Sequence, residues 1–86
     1  MLIRSQDNLD LINFESILML SISKDCTKDI WRIYAILPGN LEVNFQKIAE
    51  YYSQEKAVYV LDKIETLYKF AKDKVFQMPA DEELED

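Results

Sequence analysis

Two stretches of this chain are apolar at both odd and even positions. They span Ile17–Ile22 and Ile30–Leu37. A strand on the surface of a small domain alternates apolar and polar residues, because one face meets the core and the other meets water. Both stretches therefore predict strands that are apolar on both faces, so the second face should also be shielded from water. We expect either a second subunit or a bound target on that face.

The remaining strand signals are shorter. A turn is predicted at Pro38–Asn40. After it, Leu41, Val43 and Phe45 alternate with polar residues, a pattern that predicts a half-exposed strand. The alternation slips at Lys47–Ile48, which predicts a β-bulge or a second short turn. Further extended segments are predicted at Leu2–Ser5, Leu11–Phe14, Ala49–Tyr52 and Val75–Met78.

A helical pattern runs from Gln54 to about Lys74, with Ser53 as its N-cap. A helix of about 21 residues is roughly 32 Å long and would overhang a strand of roughly 23 Å. Tyr59 and Phe70 lie outside the core-facing stripe. They predict either a partner-facing ridge or two singly exposed side chains. The stripe itself comprises Ala57, Val60, Leu61, Ile64, Leu67, Tyr68, Ala71 and Val75.

Together these elements predict an α+β fold. We expect an antiparallel β-meander of four to five strands with one long C-terminal helix packed on one face. The length of 86 residues fits a single domain, covering residues 1–79. Residues 80–86 are predicted to form a flexible acidic tail, because the last six residues hold five acids and no base. Such a tail either solvates the chain or competes for a basic groove on a partner.

Charge and composition argue against several classes of function. The net charge of −6 comes mostly from the tail, since residues 1–80 hold ten bases and eleven acids. Without a basic field, duplex nucleic-acid binding is not expected. No apolar run approaches the ~18 residues of a membrane span, so no membrane association is predicted. The single cysteine, Cys26, fits a reducing cytoplasm.

Side chains that carry enzyme chemistry are scarce. The chain has no histidine, one cysteine and one glycine. These counts argue against the commonest general base, the usual zinc sites and a glycine-rich phosphate loop. Paired carboxylates occur only in turn-like segments, as with Asp7 and Asp10, where they usually initiate turns. We therefore expect no enzymatic activity, no metal and no cofactor.

The two arginines are candidate anion contacts. Arg4 lies in the first predicted strand, and Arg32 lies between Trp31 and Ile33 in the most apolar one. An arginine beside aromatic residues can bind carboxylate or phosphate in a bidentate manner and stack on rings. It can equally be an ordinary strand residue whose stem covers apolar surface.

Three segments carry a resemblance. They are Met1–Asp7 at the start, Tyr52–Ala57 leading to Val60–Asp62, and Val75–Pro79 near the end. Together they resemble a group of small uncharacterised proteins of Gram-positive bacteria and their prophages or mobile elements. That group has an Ile-Arg-Ser-Gln-Asp start, a Tyr-Ser-x-Glu-x-Ala helix start and a Phe-x-Met-Pro end. The resemblance implies a small sheet-plus-helix fold and a mobile-element origin, and it implies no activity. The segment Ser23–Phe45 departs from the pattern.

These observations favour a non-enzymatic, cytoplasmic binding protein that forms a homo-oligomer and occupies a host protein. Inhibition of a bacterial defence system such as CRISPR fits the origin that the resemblance implies. Two alternatives stay open: an oligomeric sponge for a small nucleotide or other anionic ligand, and a structural phage component. The residues predicted to contact a second subunit or partner are Met19, Trp31, Tyr34, Ile36, Tyr59 and Phe70.

Overall fold

The computed structural model of the chain describes residues 1–39, 44–71 and 73–84. Within them the fold belongs to the α+β class with a single α-helix, as the sequence predicts. Parts of the predicted turn, strand, helix end and tail, namely residues 40–43, 72, 85 and 86, lie outside the described residues. The elements are β1 (Leu2–Arg4), β2 (Leu11–Asn13), β3 (Met19–Lys24), β4 (Trp31–Leu37), β5 (Asn44–Tyr51), α1 (Gln54–Phe70) and β6 (Val75–Gln77).

The strands form two three-stranded sheets, which differs from a single meander of four to five strands. Strands β3, β4 and β5 follow one another as antiparallel neighbours. Strand β1 lies between β2 and β6, antiparallel to the first and parallel to the second. Hydrophobic alternation identifies a strand but does not specify which strand pairs with it. The predicted meander is therefore present only in β3–β5.

The predicted irregularity at Lys47–Ile48 is confirmed as a β-bulge. Strand β5 changes register against β4 between the pairs Ile33–Ala49 and Tyr34–Lys47, so Ile48 is the extra residue. Ile48 and its neighbour Ala49 are each only 2% exposed. The bulge thus turns two consecutive side chains toward the core. It also reverses the face on which the residues before it lie.

Helix α1 packs on one face of the sheet β3–β5. Ser53 caps its start, and the Ser53 side-chain oxygen accepts a hydrogen bond from the Lys56 backbone N–H at 3.2 Å. Ala57, Val60 and Ile64 are buried against the core of the domain. The core-facing stripe predicted from three- and four-residue spacing is therefore confirmed at its centre.

The helix ends at Phe70, earlier than the predicted Lys74. The backbone N–H of Ala71 closes the last turn on the Leu67 carbonyl, and the Lys74 carbonyl accepts from the Leu2 N–H at 3.2 Å. Pairing of the following strand with β1 thus replaces a further helical turn. The 17 residues of α1 extend about 26 Å, close to the length of the eight-residue β5. The predicted overhang of the helix is absent.

The segment after β6 lies against the domain as far as residue 84. The Asp81 carboxylate accepts hydrogen bonds from the Tyr52 backbone N–H at 2.8 Å and from the Lys56 ammonium at 3.1 Å. Leu84 packs against the core. The sequence puts the domain boundary at residue 79, because five acids in six residues have the composition of a solvated tail. The hydrogen bonds of Asp81 with Tyr52 and Lys56 attach the first part of that segment to the domain.

Candidate interaction surface

The sheet β3–β4–β5 has a second face that α1 does not cover, which we call the open face. Residues paired across neighbouring strands lie on the same face, so the register assigns the side chains to it. The open face consists of three cross-strand rows: Met19–Ile36–Phe45, Ser21–Tyr34–Lys47 and Ser23–Arg32–Glu50.

One end of the open face is apolar. Met19 and Phe45 are 53% and 65% exposed and flank Ile36, which is only 7% exposed. The rings of Tyr34 and Phe45 meet edge to face with centroids 6.5 Å apart. We call Met19, Tyr34, Ile36 and Phe45 the apolar patch. Large apolar side chains that cluster on an exposed sheet face are typical of a protein contact surface.

The other end of the open face is a charge network. The Arg32 guanidinium contacts the Asp25 carboxylate at 2.7 Å and the Glu50 carboxylate at 3.1 Å. The Lys47 ammonium lies 2.8 Å from the same Glu50 oxygen. Two positive and two negative side chains therefore meet at the border of the apolar patch. This network leaves the open face without a strong field of either sign.

The network shifts the pKa of its members in the directions that favour their charged forms. The backbone N–H of Thr27 and the guanidinium of Arg32 hold the pKa of Asp25 well below its ordinary value. Lys47, followed by Arg32, lowers the pKa of Glu50. Hydrogen bonds to Asp25 and Glu50 raise the pKa of Arg32. The carboxylates thus stay ionised and hold the guanidinium across the sheet.

The structure separates the predicted interface residues into three groups. Met19, Tyr34 and Ile36 lie together in the apolar patch. Trp31 lies on the opposite face of β4, because it pairs with the buried Tyr51 and packs against the core. Its ring also carries the Lys24 ammonium at 5.2 Å from the centroid. Trp31 is therefore partly buried on the core side of β4 rather than exposed on the open face.

Tyr59 and Phe70 form the third group, on the outer surface of α1. They are 49% and 83% exposed, on the side of the helix opposite the buried Val60 and Ile64. Lys63 stacks its ammonium 5.3 Å from the Tyr59 ring centroid. The helix and its core contacts separate this surface from the apolar patch, so the two do not form one continuous surface.

Both arginine side chains have partners within the domain. A guanidinium nitrogen of Arg4 donates to the Asn8 carbonyl at 3.2 Å, within the turn after β1. Arg32 is engaged by Asp25 and Glu50. These contacts fit the ordinary strand role, which the sequence allows as an alternative to anion binding.

Phe45 is a member of the patch that the sequence prediction missed. Simple alternation groups Phe45 with Leu41 and Val43 as one face of a half-exposed strand. The bulge at Ile48 reverses that face relative to the buried residues Ala49 and Tyr51. The slip at Lys47–Ile48 was visible in the sequence. Counting one extra residue at that slip places Phe45 on the face opposite the core.

A separate groove of about 530 Å³ lies on the helix side of the domain. Phe14 and Tyr68 line it, with their rings edge to face at 4.9 Å. Its other lining residues, Glu65 and Lys69, form an ion pair at 3.4 Å. None of these residues belongs to the open face.

Comparison with protein families, curated protein sequences and solved structures finds no match to this chain. In the part of the chain that the structure describes, no helix has both the length and the apolar character needed to cross a membrane. The described residues also contain no group of three or more histidine, cysteine or acidic side chains arranged to hold a metal ion.

Proposed function

We propose that this chain is a non-enzymatic binding protein that occupies another protein through its open face. The apolar patch is the observation that carries the proposal. Its flanking members Met19 and Phe45 are both more than half exposed, although each lies on a regular strand beside a nearly buried isoleucine. A partner that covers them removes apolar surface from water, the dominant favourable term in protein association.

The chemistry of the open face favours a partner with an apolar centre and a polar rim. Aromatic residues and methionine are enriched at protein interfaces, and Tyr34, Phe45 and Met19 supply these types at the patch. The charge network beside it is balanced, so the open face itself adds no strong attraction for a charged partner. The mobile-element origin implied by the resemblance makes a host protein, including a defence nuclease, the first partner class to test.

The test compares two phenylalanine substitutions that differ only in location. Phe45→Ser alters the apolar patch, whereas Phe70→Ser removes an even more exposed ring from the outer surface of α1. Wild type and both variants are immobilised and exposed to a lysate of a Gram-positive bacterium. We expect a protein that binds wild type to be captured roughly 30-fold less well by Phe45→Ser, since one interface anchor contributes about 2 kcal/mol. Phe70→Ser should capture it as wild type does.

The proposal fails if Phe45→Ser retains the captured protein at wild-type affinity or if Phe70→Ser loses it equally. Phe45 is 65% exposed, so its replacement should leave the urea midpoint of unfolding nearly unchanged. Measuring that midpoint separates lost binding from lost folding. Titration of the purified partner then gives the affinity ratio directly.

A further inference from the structure

The two edges of the sheet β3–β5 differ in how their backbone groups are satisfied. In an antiparallel pair, alternate residues bond to the neighbour and the others point away from it. Asp25 donates its N–H to the Ile30 carbonyl, which places the β4-bonded residues of β3 at odd positions. The N–H and C=O groups of Leu20, Ile22 and Lys24 therefore point away from the sheet.

No hydrogen bond among the described residues reaches these outward groups of β3. We call this row of Leu20, Ile22 and Lys24 the bare edge. It belongs to a strand of six residues without proline. Exposed edges of this length are ready templates for another strand, and proteins usually protect them. The edges of the other sheet, β2 and β6, are only three residues long, which by itself limits pairing.

We propose that the bare edge pairs with the bare edge of a second copy of this chain. Antiparallel pairing about a two-fold axis, with Ser21 opposite its own copy, joins the two sheets into one of six strands. Leu20 of each copy then lies opposite Ile22 of the other and exchanges two backbone hydrogen bonds with it, four in total. The proposal concerns a surface other than the apolar patch and does not depend on which partner that patch binds.

The residues of β3 suit a second copy because a two-fold axis brings identical side chains together. A charged residue at the axis would repel its own copy, and the central residue here is the neutral Ser21. The charged residue of β3, Lys24, lies three positions away, so the two ammonium-bearing residues are roughly 20 Å apart along the strands. Leu20 and Ile22 are half-buried and pack against the core, so pairing would extend each core into the other.

Pairing at the bare edge also determines what happens to the open face. Residues 19, 21 and 23 of each copy lie on that face, so the two open faces become adjacent parts of one surface. Each copy brings its own apolar patch to this surface. The dimer therefore carries two copies of the proposed contact site on the same side of the joined sheet.

A charge-swap experiment tests this arrangement. Ser21→Asp and Ser21→Lys each place like charges opposite one another at the axis, while a mixture of the two places opposite charges there. We expect wild type to sediment at twice the 10.2 kDa chain mass at tens of micromolar. Each variant alone should sediment as a monomer, and the equimolar mixture should return to the dimer mass.

Wild type that sediments as a monomer at this concentration overturns the proposal, and so do single variants that remain dimers while folded. Phe45→Ser is the control for pairing through the open face. Loss of the dimer in Phe45→Ser, with retention in both Ser21 variants, assigns the contact to the apolar patch and also overturns the proposal. This result is separate from capture of a partner, which tests the proposed function.

Hydrogen exchange on wild type gives a second measurement that needs no variant. The amides of Leu20, Ile22 and Lys24 have no partner among the described residues of one copy, so their exchange should be slow only in the dimer. We expect at least tenfold slower exchange at high than at low protein concentration for Leu20 and Ile22. Exchange of these two amides that is fast and independent of concentration contradicts pairing at this edge, whatever the folding behaviour of the variants.

Discussion

The sheet β3–β5 has two edge strands, β5 and β3, and both have backbone N–H and C=O groups that point away from the sheet. The two edges differ in which partners these groups have. At β5, Gln6 donates its backbone N–H to the Ile48 carbonyl at 2.8 Å. Its side-chain amide accepts from the Glu50 N–H and donates to the Glu50 carbonyl, both at 3.0 Å. One glutamine thus takes the place of a neighbouring strand. At β3 no such residue is present among the described parts of the chain, and the outward groups of Leu20 and Ile22 lack a protein partner.

The difference shows that a sheet edge can be protected by a few polar groups from a distant loop. Gln6 lies 44 residues before Glu50, in the turn between β1 and β2. The same amide group also donates to the Pro79 carbonyl at 3.0 Å, so it links the β5 edge, which we call the covered edge, to the segment after β6. Since no described residue of the same chain bonds to the bare edge, solvent or another chain remains to do so. Water satisfies the bare edge in a monomer, and a second strand would satisfy it in a dimer.

The largest effect on stability is expected at the covered edge, from Gln6→Ala. The substitution removes three side-chain hydrogen bonds and leaves the Glu50 N–H without its partner. We expect the free energy of unfolding to fall by about 2–3 kcal/mol, since each bond contributes roughly 1 kcal/mol. Urea denaturation measures the change. Gln54→Ala, the same truncation at an exposed helix position, should change it by less than about 0.5 kcal/mol.

Equal urea midpoints for Gln6→Ala and Gln54→Ala would contradict the role of Gln6 at the covered edge. A loss confined to Gln6→Ala would instead support it.

A second effect concerns Arg32, which joins Asp25 beside the bare edge to Glu50 on the covered one. The folded-state pKa of Asp25 is lowered, so its ionised form stabilises the fold above the ordinary pKa of 3.8. That contribution is lost as the pH falls through the lower folded pKa. We expect Asp25→Asn to be less stable near neutral pH and to lose less stability on acidification than wild type.

Urea midpoints between about pH 7 and about pH 2 measure this difference. Asp29→Asn, which removes a 90% exposed carboxylate in the same turn, is the matched control. Parallel acid profiles for wild type and Asp25→Asn would show that the network does not connect the two edges energetically.

The smallest effect is expected at the end of the bare edge, from Lys24→Ala. Lys24 lies 3.6 Å from the Asp29 carboxylate, and both side chains are more than half exposed. It also stacks on Trp31. Exposed contacts of these kinds contribute little, so we expect a loss below about 1 kcal/mol by urea denaturation. A loss in the free energy of unfolding as large as that of Gln6→Ala would mean that the side-chain contacts of Lys24 contribute strongly to the stability of the bare edge.

Much of the fold follows from local patterns in the sequence. The Ser53 cap, the buried stripe around Val60 and the bulge at Ile48 are each predicted from neighbouring residues and are each present. These features depend on interactions within one or two turns or one strand. Periodicity and capping chemistry therefore carry enough information to predict them.

The candidate site was predictable only in part. The unusually apolar β3 and β4 pointed to a second contact surface, and Met19, Tyr34 and Ile36 lie on it together. Trp31 is predicted to contact a partner as well, but alternation along β4 puts it on the face opposite Tyr34, where it packs against the core. Tyr59 and Phe70 are exposed as predicted, but on the far side of α1. Which exposed side chains share a surface depends on how elements pack, and this was not available from the spacing.

The sequence by itself determined where this chain forms strands and its helix, and which helix face meets the core. Only the tertiary structure decided that β1 pairs with β6, that α1 ends at Phe70, and that Gln6 covers one edge of the central sheet while β3 stays bare. The physical reason is separation along the chain. Local hydrogen bonds and periodic burial involve near neighbours, whereas strand partners and edge contacts join residues tens of positions apart and are selected by the packing of the whole domain.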